Sequence, residues 1–385
     1  MNKKPKVVFA FTEAGLGHIM PLKSIADSFE KKYGNKVEII RSNFFTETNK
    51  KPLIKYEKFL INEVKKQNRH NWYGYATTFI MELFGPTIDN YAVMKWFAPK
   101  AYKEAIKHVD ELDADAFVST HWATNYYAIH SKSKPLTLTY VPDAFINPVF
   151  RYKSDLTLCS MQLGYNDAIK RQKRFNEQNL KLVPFCIRNE AFNVSCDKIE
   201  NRKKLGLPED KFTITLAEGG YGLGKMEKIC QLILEKDLPI TCIPICGKNK
   251  ELYDRLSTLK NGKHAVIKPL PFTPDLFGYI ASSDVFLGKS GNMIAEPTFF
   301  GIPSIITKHT TNIEKHIADH YVKYLKCAIN IKNPKKIVAK LEEFMNNPKL
   351  LKPYIENAKK ARDLFGSEKT ADYLFELLKT KYPNL

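Results

Sequence analysis

The feature that most constrains this chain is an alternation that runs through it twice. "KVVFAF" (residues 6–11) is a short apolar run that enters a glycine turn, which predicts a buried strand. "HIMPLKSIADSFEKKYG" follows, with Ile19, Leu22, Ile25, Ala26 and Phe29 on one face and Gly34 as a stop, which predicts a helix. "KVEIIRS", "DAFVST", "PLTLTYVPD" and "SDLTLCS" predict further strands. After a polar, irregular stretch at 186–200 the pattern restarts. "FTITLAEGGYGLGKMEKICQLILE" reads strand, glycine-rich turn, helix; "PITCIPICG" and "HAVIKPLPF" read as strands with helices between; "DVFLGKSGNMIAEPTFFGIPSIIT" reads strand, tight turn, helix, strand. Strands alternating with helices predict parallel sheets covered on both faces. The boundaries predicted are an α/β domain over 1–188, a second over 189–365, and a C-terminal helical stretch, 366–385, packing back towards the first. A length of 385 residues suits two such domains.

Composition narrows the partners rather than the fold. The net charge is +19. Two readings are open: attraction to a polyanion, or a lysine-rich usage inherited from genome composition. No run approaches the roughly 20 apolar residues of a membrane span. The basic start "MNKKPK" precedes an apolar run too short for a signal peptide. The seven cysteines are scattered, with no CxxC pair, which predicts reduced thiols in a cytoplasmic setting and no zinc site. Residues 49–70 break the alternation with a series of lysines. The 71–102 stretch after it is dense in aromatics, among them Trp72, Tyr73, Phe79, Trp96 and Phe97. A basic flank beside an aromatic patch is the composition of an interfacial membrane element; a helical insertion whose aromatics fill a core fits equally well.

Three glycine turns carry the chemistry. "EAGLGH" has Gly15 and Gly17 but neither the third glycine of a dinucleotide loop nor the GK[ST] of a P-loop. Its distinctive residue is His18, at the start of a helix. The positive end of the helix dipole favours a neutral imidazole, the form a general base needs; a histidine serving only as a helix cap is the other reading. "AEGGYGLGK" holds Gly220 and Gly222 between a strand and a helix, where backbone N–H groups can meet phosphate. In "GKSGNMIAEPTFFGIP", Ser290, Gly291 and Asn292 open a predicted helix. Glu296, one to two turns in, is placed to take ribose hydroxyls, and apolar neighbours argue against a merely solvated role.

These motifs resemble those of the glycosyltransferases that make monogalactosyl- and glucosyl-diacylglycerol, relatives of the muramyl-lipid glycosyltransferase. The resemblance is densest over 212–322, in "AEGGYGLGKMEKI", "PICGKNKELYDRL", "KPLPFTPDLFGYIASSDVFLGKSGNMIAEPTFFGIPSIIT" and "NIEKHIADHYV". It is looser in "EAGLGHIMPLKSIAD", in "VSTH" ending at His121 and in "VPD" ending at Asp143. It implies the GT-B fold, two Rossmann-like domains facing a cleft. It implies His18 as base, or as the group that positions the base. Phe272 and Thr273 would meet uracil, Ser290, Gly291 and Asn292 the diphosphate, and Glu296 the ribose. Gly220 and Gly222 would line the cleft, and Asn312 and Glu314 would meet donor-sugar hydroxyls. On the acceptor or membrane side stand Gly15, Gly17, Trp72, Tyr73, Trp96, Phe97, His121 and Asp143. The family reads glycine-glutamine-glutamate where this chain has Asn312, Ile313 and Glu314, so the resemblance does not specify the sugar. Pro297 also departs from the family's alanine or leucine.

The expected function is therefore inverting transfer of a hexose from a UDP-sugar to a membrane lipid, diacylglycerol first among them. The enzyme would sit at the inner face of the membrane, bound to anionic lipid. No metal or other cofactor is expected: "DAD" at 113–115 has the spacing of a metal motif but precedes a strand far from the donor block. Alternatives are a soluble or other lipid acceptor, a UDP-sugar epimerase, and a polyanion-binding scaffold without turnover. No nucleic-acid module is recognisable, so nucleic acid is not an expected partner.

Overall fold

The computed structural model describes residues 4–13, 16–84, 95–96, 98–150, 152–218 and 225–385. The chain forms two compact units. The first comprises Met1–Asn189, Thr311–Ile313 and Gly366–Leu385; the second comprises Glu190–Thr310 and Glu314–Phe365. Each is a parallel sheet flanked by helices.

In the first unit the strands are β1 (Lys6–Phe11), β2 (Glu38–Asn43), β3 (Ala116–Ser119), β4 (Leu136–Val141), β5 (Leu156–Cys159) and β6 (Leu180–Leu182). They lie in the order β2-β1-β3-β4-β5-β6, every pairing parallel. Alternate residues of β1 point to opposite faces, and both faces are buried. Val7 and Phe9 meet Leu22, Ile25, Ala26 and Phe29 of α1 (Leu16–Tyr33). Val8 and Ala10 join a separate cluster with residues of α4 (Pro99–Leu112) and α5 (Trp122–His130). An all-apolar strand is the expected consequence of cover on both sides. α1 ends at Tyr33, just before Gly34, where no side chain fits: a Cβ there would lie 2.6 Å from the Glu30 carbonyl oxygen. Alongside α1 runs α15 (Glu368–Lys379), with Tyr33 and Phe375 stacked at 3.9 Å. Between β2 and α4 lie α2 (Lys51–Arg69) and α3 (Asn71–Phe84).

The second unit opens with α7 (Lys198–Lys204), after α6 (Gln162–Arg171) of the first. Its sheet runs β10-β8-β7-β11-β12-β13, with β9 also paired to β8. The strands are β7 (Phe212–Ala217), β8 (Ile240–Gly247), β9 (Val266–Ile267), β10 (Leu270–Pro271), β11 (Val285–Lys289), β12 (Ser304–Lys308) and β13 (Ala328–Asn330). The single strand expected from "HAVIKPLPF" is split into β9 and β10. Pro269 and Pro271 each lack the N–H that a continuous ladder requires. Cys242 and Cys246 both lie in the core beside α8 (Met226–Glu235) and α13 (Pro334–Asn346). All seven cysteines are unbonded.

Both sheets share one topological property. In the first, the chain moves from β1 outward to β2 and then crosses back to place β3 on the other side of β1. In the second, β7 leads outward to β8 and β10 before β11 returns to its other side. The crevice outside the carboxyl ends of two such strands is where open α/β sheets bind ligands.

Candidate active site

The two histidines singled out above follow β1 and β3 in the chain. His18 is the third residue of α1 and half-buried. Its Nδ1 lies 2.8 Å from the Thr120 carbonyl oxygen, and the Thr120 hydroxyl donates back to the His18 carbonyl at 2.6 Å. A carbonyl only accepts, so Nδ1 carries the proton. The lone pair then belongs to Nε2, the nitrogen able to take a proton from a substrate. Thr120, which sequence reasoning passed over, is the residue that sets this tautomer, and it does so through its main chain. Ring contacts hold the imidazole from two sides, with Phe150 stacked at 6.4 Å and His121 edge-on at 5.5 Å.

His121 has a different role. It is buried at the N-cap of α5, where its Nδ1 accepts from the Ala123 N–H at 3.3 Å. Burial, and secondarily the neighbouring His18, hold it well below the ordinary histidine range, so it is neutral at pH 7. Asp143 follows β4, and its Oδ2 accepts from the Asn147 side chain at 2.8 Å. Gly17 lies in the first turn of α1; Gly15 falls outside the described residues. Glu57 of α2 was not read as functional. It is 2% exposed, and its Oε1 accepts from both the Thr12 hydroxyl and the Glu13 N–H at 2.8 Å, anchoring the start of the loop that leads to His18. Asp113 adopts the left-handed conformation that ends α4, and Asp115 accepts from the Lys6 N–H at 2.9 Å and pairs with Lys381 at 3.0 Å.

In the second unit, "KSGN" leaves β11 beside β7. Gly291 has φ +149° and ψ −171°, a conformation essentially confined to glycine, and no atom lies within 4 Å of where a Cβ would sit. The backbone is thus open to close approach at this point. Ser290 spends both its donors inside the unit: its N–H goes to the Lys308 carbonyl at 2.7 Å and its hydroxyl to the Glu314 carbonyl at 2.6 Å. These two bonds fix the turn. The continuous helix expected from Ser290 is instead a single 3₁₀ turn, Asn292–Ile294, followed by α11 (Ala295–Phe299). Glu296 is 9% exposed, so it is not a solvated helix residue. Phe272 protrudes after β10, 72% exposed, next to half-buried Thr273, whose hydroxyl accepts from the Asp275 N–H at 3.2 Å.

The two residues expected at the donor sugar are not equivalent. Glu314, in α12 (Asn312–Asp319), is tied down: Oε1 pairs with Lys289 at 2.6 Å, and Oε2 accepts the Thr310 N–H and hydroxyl at 2.7 and 2.8 Å. Asn312 groups with the first unit, where its backbone N–H donates to the Thr78 hydroxyl at 3.2 Å. Gly220 and Gly222 fall outside the described residues. Sequence reasoning missed Glu218, which directly follows β7 and is buried at 3% exposure.

Among the described residues of the basic and aromatic segment, Tyr102 is buried in the core while several large apolar side chains face solvent. Trp72, Phe79, Ile80 and Leu83 of α3, Phe59 of α2 and Trp96 are all more than half exposed. Lys51, Lys55, Lys58, Lys65, Lys66 and Arg69 of α2 are exposed as well. Tyr73 departs from the expected patch. Its hydroxyl donates to Glu63 at 2.5 Å and Lys66 lies over its ring, so it fastens α3 to α2. Phe97 lies outside the described residues. No described helix is long and apolar enough to cross a membrane.

No protein-family model matches the chain. Individual relatives do. The chain is 23% identical over 351 residues to a probable monogalactosyldiacylglycerol synthase, chloroplastic, of Nicotiana tabacum, covering 86% of this chain and 63% of the relative. It thus spans under two thirds of that relative's length. It is 22% identical to a processive diacylglycerol β-glucosyltransferase of Bacillus pumilus, covering 93% of this chain and 91% of the relative. In structure it is similar to Acinetobacter baumannii MurG, with a TM-score of 0.60 at 13% identity over 97% of this chain and 99% of that one. The chain thus has the two-domain GT-B fold, and its sequence is similar to those of glycosyltransferases.

Proposed function

We propose that the chain moves a hexose from a UDP-sugar to a membrane lipid, diacylglycerol first among candidates, with inversion at the anomeric carbon. The observation that carries the reading is the His18 tautomer, fixed by the Thr120 carbonyl with Nε2 left basic. In the reaction, Nε2 takes the proton of the acceptor hydroxyl as its oxygen attacks the anomeric carbon. The new carbon–oxygen bond forms on the face opposite the one that breaks, and UDP leaves with the bonding pair. A single displacement on an α-linked nucleotide sugar yields a β product, in keeping with the name of the Bacillus pumilus relative. We read the step as independent of metal or other cofactor: backbone donors beyond Gly291 and nearby lysines meet the charge on the leaving group.

The acceptor assignment draws on the names of the two relatives and on the exposed apolar face of α3 beside the basic face of α2. Such a face suits peripheral docking on anionic lipid at the cytoplasmic side of a membrane. Nucleic acid has no place in this reading. The test is incubation with UDP-glucose, UDP-galactose and UDP-N-acetylglucosamine in diacylglycerol vesicles, followed by mass analysis of lipid and nucleotide. A hexosyl-diacylglycerol is expected. Conversion of a UDP-sugar to its epimer, or consumption of it without lipid glycosylation, would overturn the reading.

A further inference from the structure

The carboxyl edge of the second sheet holds more positive charge than a backbone cradle requires. Lys289 and Lys308 lie directly across from each other in the β11–β12 ladder. Lys289 is paired with Glu314 at 2.6 Å. Lys308 presents its carbonyl to the Ser290 N–H, so it adjoins the open turn at Gly291. Lys225 begins the helical side of the glycine-rich connection after β7, and its Nζ donates to the Lys332 carbonyl at 2.6 Å. One buried carboxylate links these positions. Glu218 accepts the Lys225 N–H through Oε2 at 2.8 Å and the hydroxyl of Thr307, the neighbour of Lys308, through Oε1.

The charges feel one another. Burial draws the Lys308 ammonium below its ordinary value, and Lys289 and Lys225 push the same way against Glu218 and Glu314. Burial and then Lys225 and Lys315 lower Lys332 likewise. Burial, then Lys332, hold His309 at about 4. Glu218 and Glu314 are the carboxylates that act on Lys308, and an anion bearing more than one negative charge would act in the same sense.

We infer that Lys225 and Lys308 seat the diphosphate of the nucleotide donor and take up the charge that develops on it as the sugar leaves, with Glu218 as the positioning residue that aligns them. This rests on the reading of the second unit as the nucleotide-sugar unit. A nucleoside diphosphate, rather than a lipid phosphate, is indicated by location: the lysines flank β7 and β11, where the chain order reverses and Gly291 leaves the backbone open.

The test is calorimetric titration of the full chain and its variants with UDP, with uridine and with phosphatidylglycerol vesicles. Lys308→Met and the exposed Lys225→Met should each weaken UDP binding roughly tenfold, as loss of a charge-assisted contact does, while uridine binding stays within about twofold. Lys308→Arg should keep most of the UDP affinity, and Lys349→Met, a remote charge removal, all of it. Glu218→Gln keeps an acceptor and should fall between wild type and Glu218→Leu in preference for UDP over uridine. If wild type binds UDP and both lysine variants bind it equally well, the lysine seat is overturned and the nucleotide reading stands. Parallel loss of UDP and uridine, or loss of vesicle binding with UDP binding intact, also overturns the seat. If wild type binds no UDP, the nucleotide reading fails and the inference with it.

Discussion

One proton on His18 separates a base from a cap. With Nδ1–H committed to the Thr120 carbonyl, only Nε2 can accept, and a methyl in its place removes that function. His18→Ala is expected to lower turnover roughly 100- to 10,000-fold while leaving UDP affinity unchanged, as steady-state rates and titration would show. Turnover equal to wild type would remove His18 from the mechanism. A second histidine reports on stability. His320 is buried, its Nδ1 has no hydrogen-bond partner, and burial lowers it to about 4. Between pH 6.5 and 4 the unfolded chain binds a proton that the folded chain refuses, so folded stability falls as pH falls through that window. The loss from this residue is on the order of 3 kcal/mol. Urea unfolding at pH 7, 5.5 and 4.5 should show a shallower decline in His320→Asn than in wild type; identical slopes would count against the assignment.

At the level of elements, α2 and α3 do two things that composition alone does not separate. Their inner side holds the His18 loop through Glu57, and their outer side offers Phe59, Phe79, Ile80 and Leu83 to solvent. Glu57→Ala removes the acceptor shared by Thr12 and Glu13, and should reduce kcat about tenfold with the KM for UDP-sugar little changed. Glu57→Gln retains a carbonyl acceptor and should recover most of the rate. Equal losses in the two variants would mean that the carboxylate's charge, not its hydrogen bonds, matters. Trp72, Phe79 and Leu83 recur at intervals of seven and four, one stripe along α3. Phe79→Ser with Leu83→Ser should weaken flotation with anionic vesicles several-fold while leaving thermal stability near wild type, because both side chains are already in water. Unchanged flotation would assign the stripe another role.

For the whole molecule, the surplus of +19 matters through its distribution. In the proposed docking, exposed lysines on α2 would attract anionic lipid at a range set by screening. Affinity for phosphatidylglycerol vesicles should fall steeply as salt rises from roughly 50 to 500 mM, where the screening length shrinks below 10 Å, with little change for neutral vesicles. A salt-independent affinity would leave only the apolar stripe as the docking force. What the sequence determined by itself was the repeating α/β plan, the stop at Gly34 and the tight turn at Gly291. Each is a local matter: side-chain period, a missing Cβ, or residue order around a turn. What only the tertiary structure decided was who meets whom. Thr120 lies 102 positions from His18 and acts through a main-chain carbonyl that any residue could supply. Glu57 and Glu218 look like ordinary helix and loop acids until the fold buries them. Tyr73 reads like its exposed aromatic neighbours until Glu63 claims its hydroxyl. Lys289 and Lys308 are 19 residues apart and meet only because parallel strands must be joined by a crossover. Periodicity records which way a side chain faces, but its partner is set by the packing of distant segments, and that is where the chemistry of this site is decided.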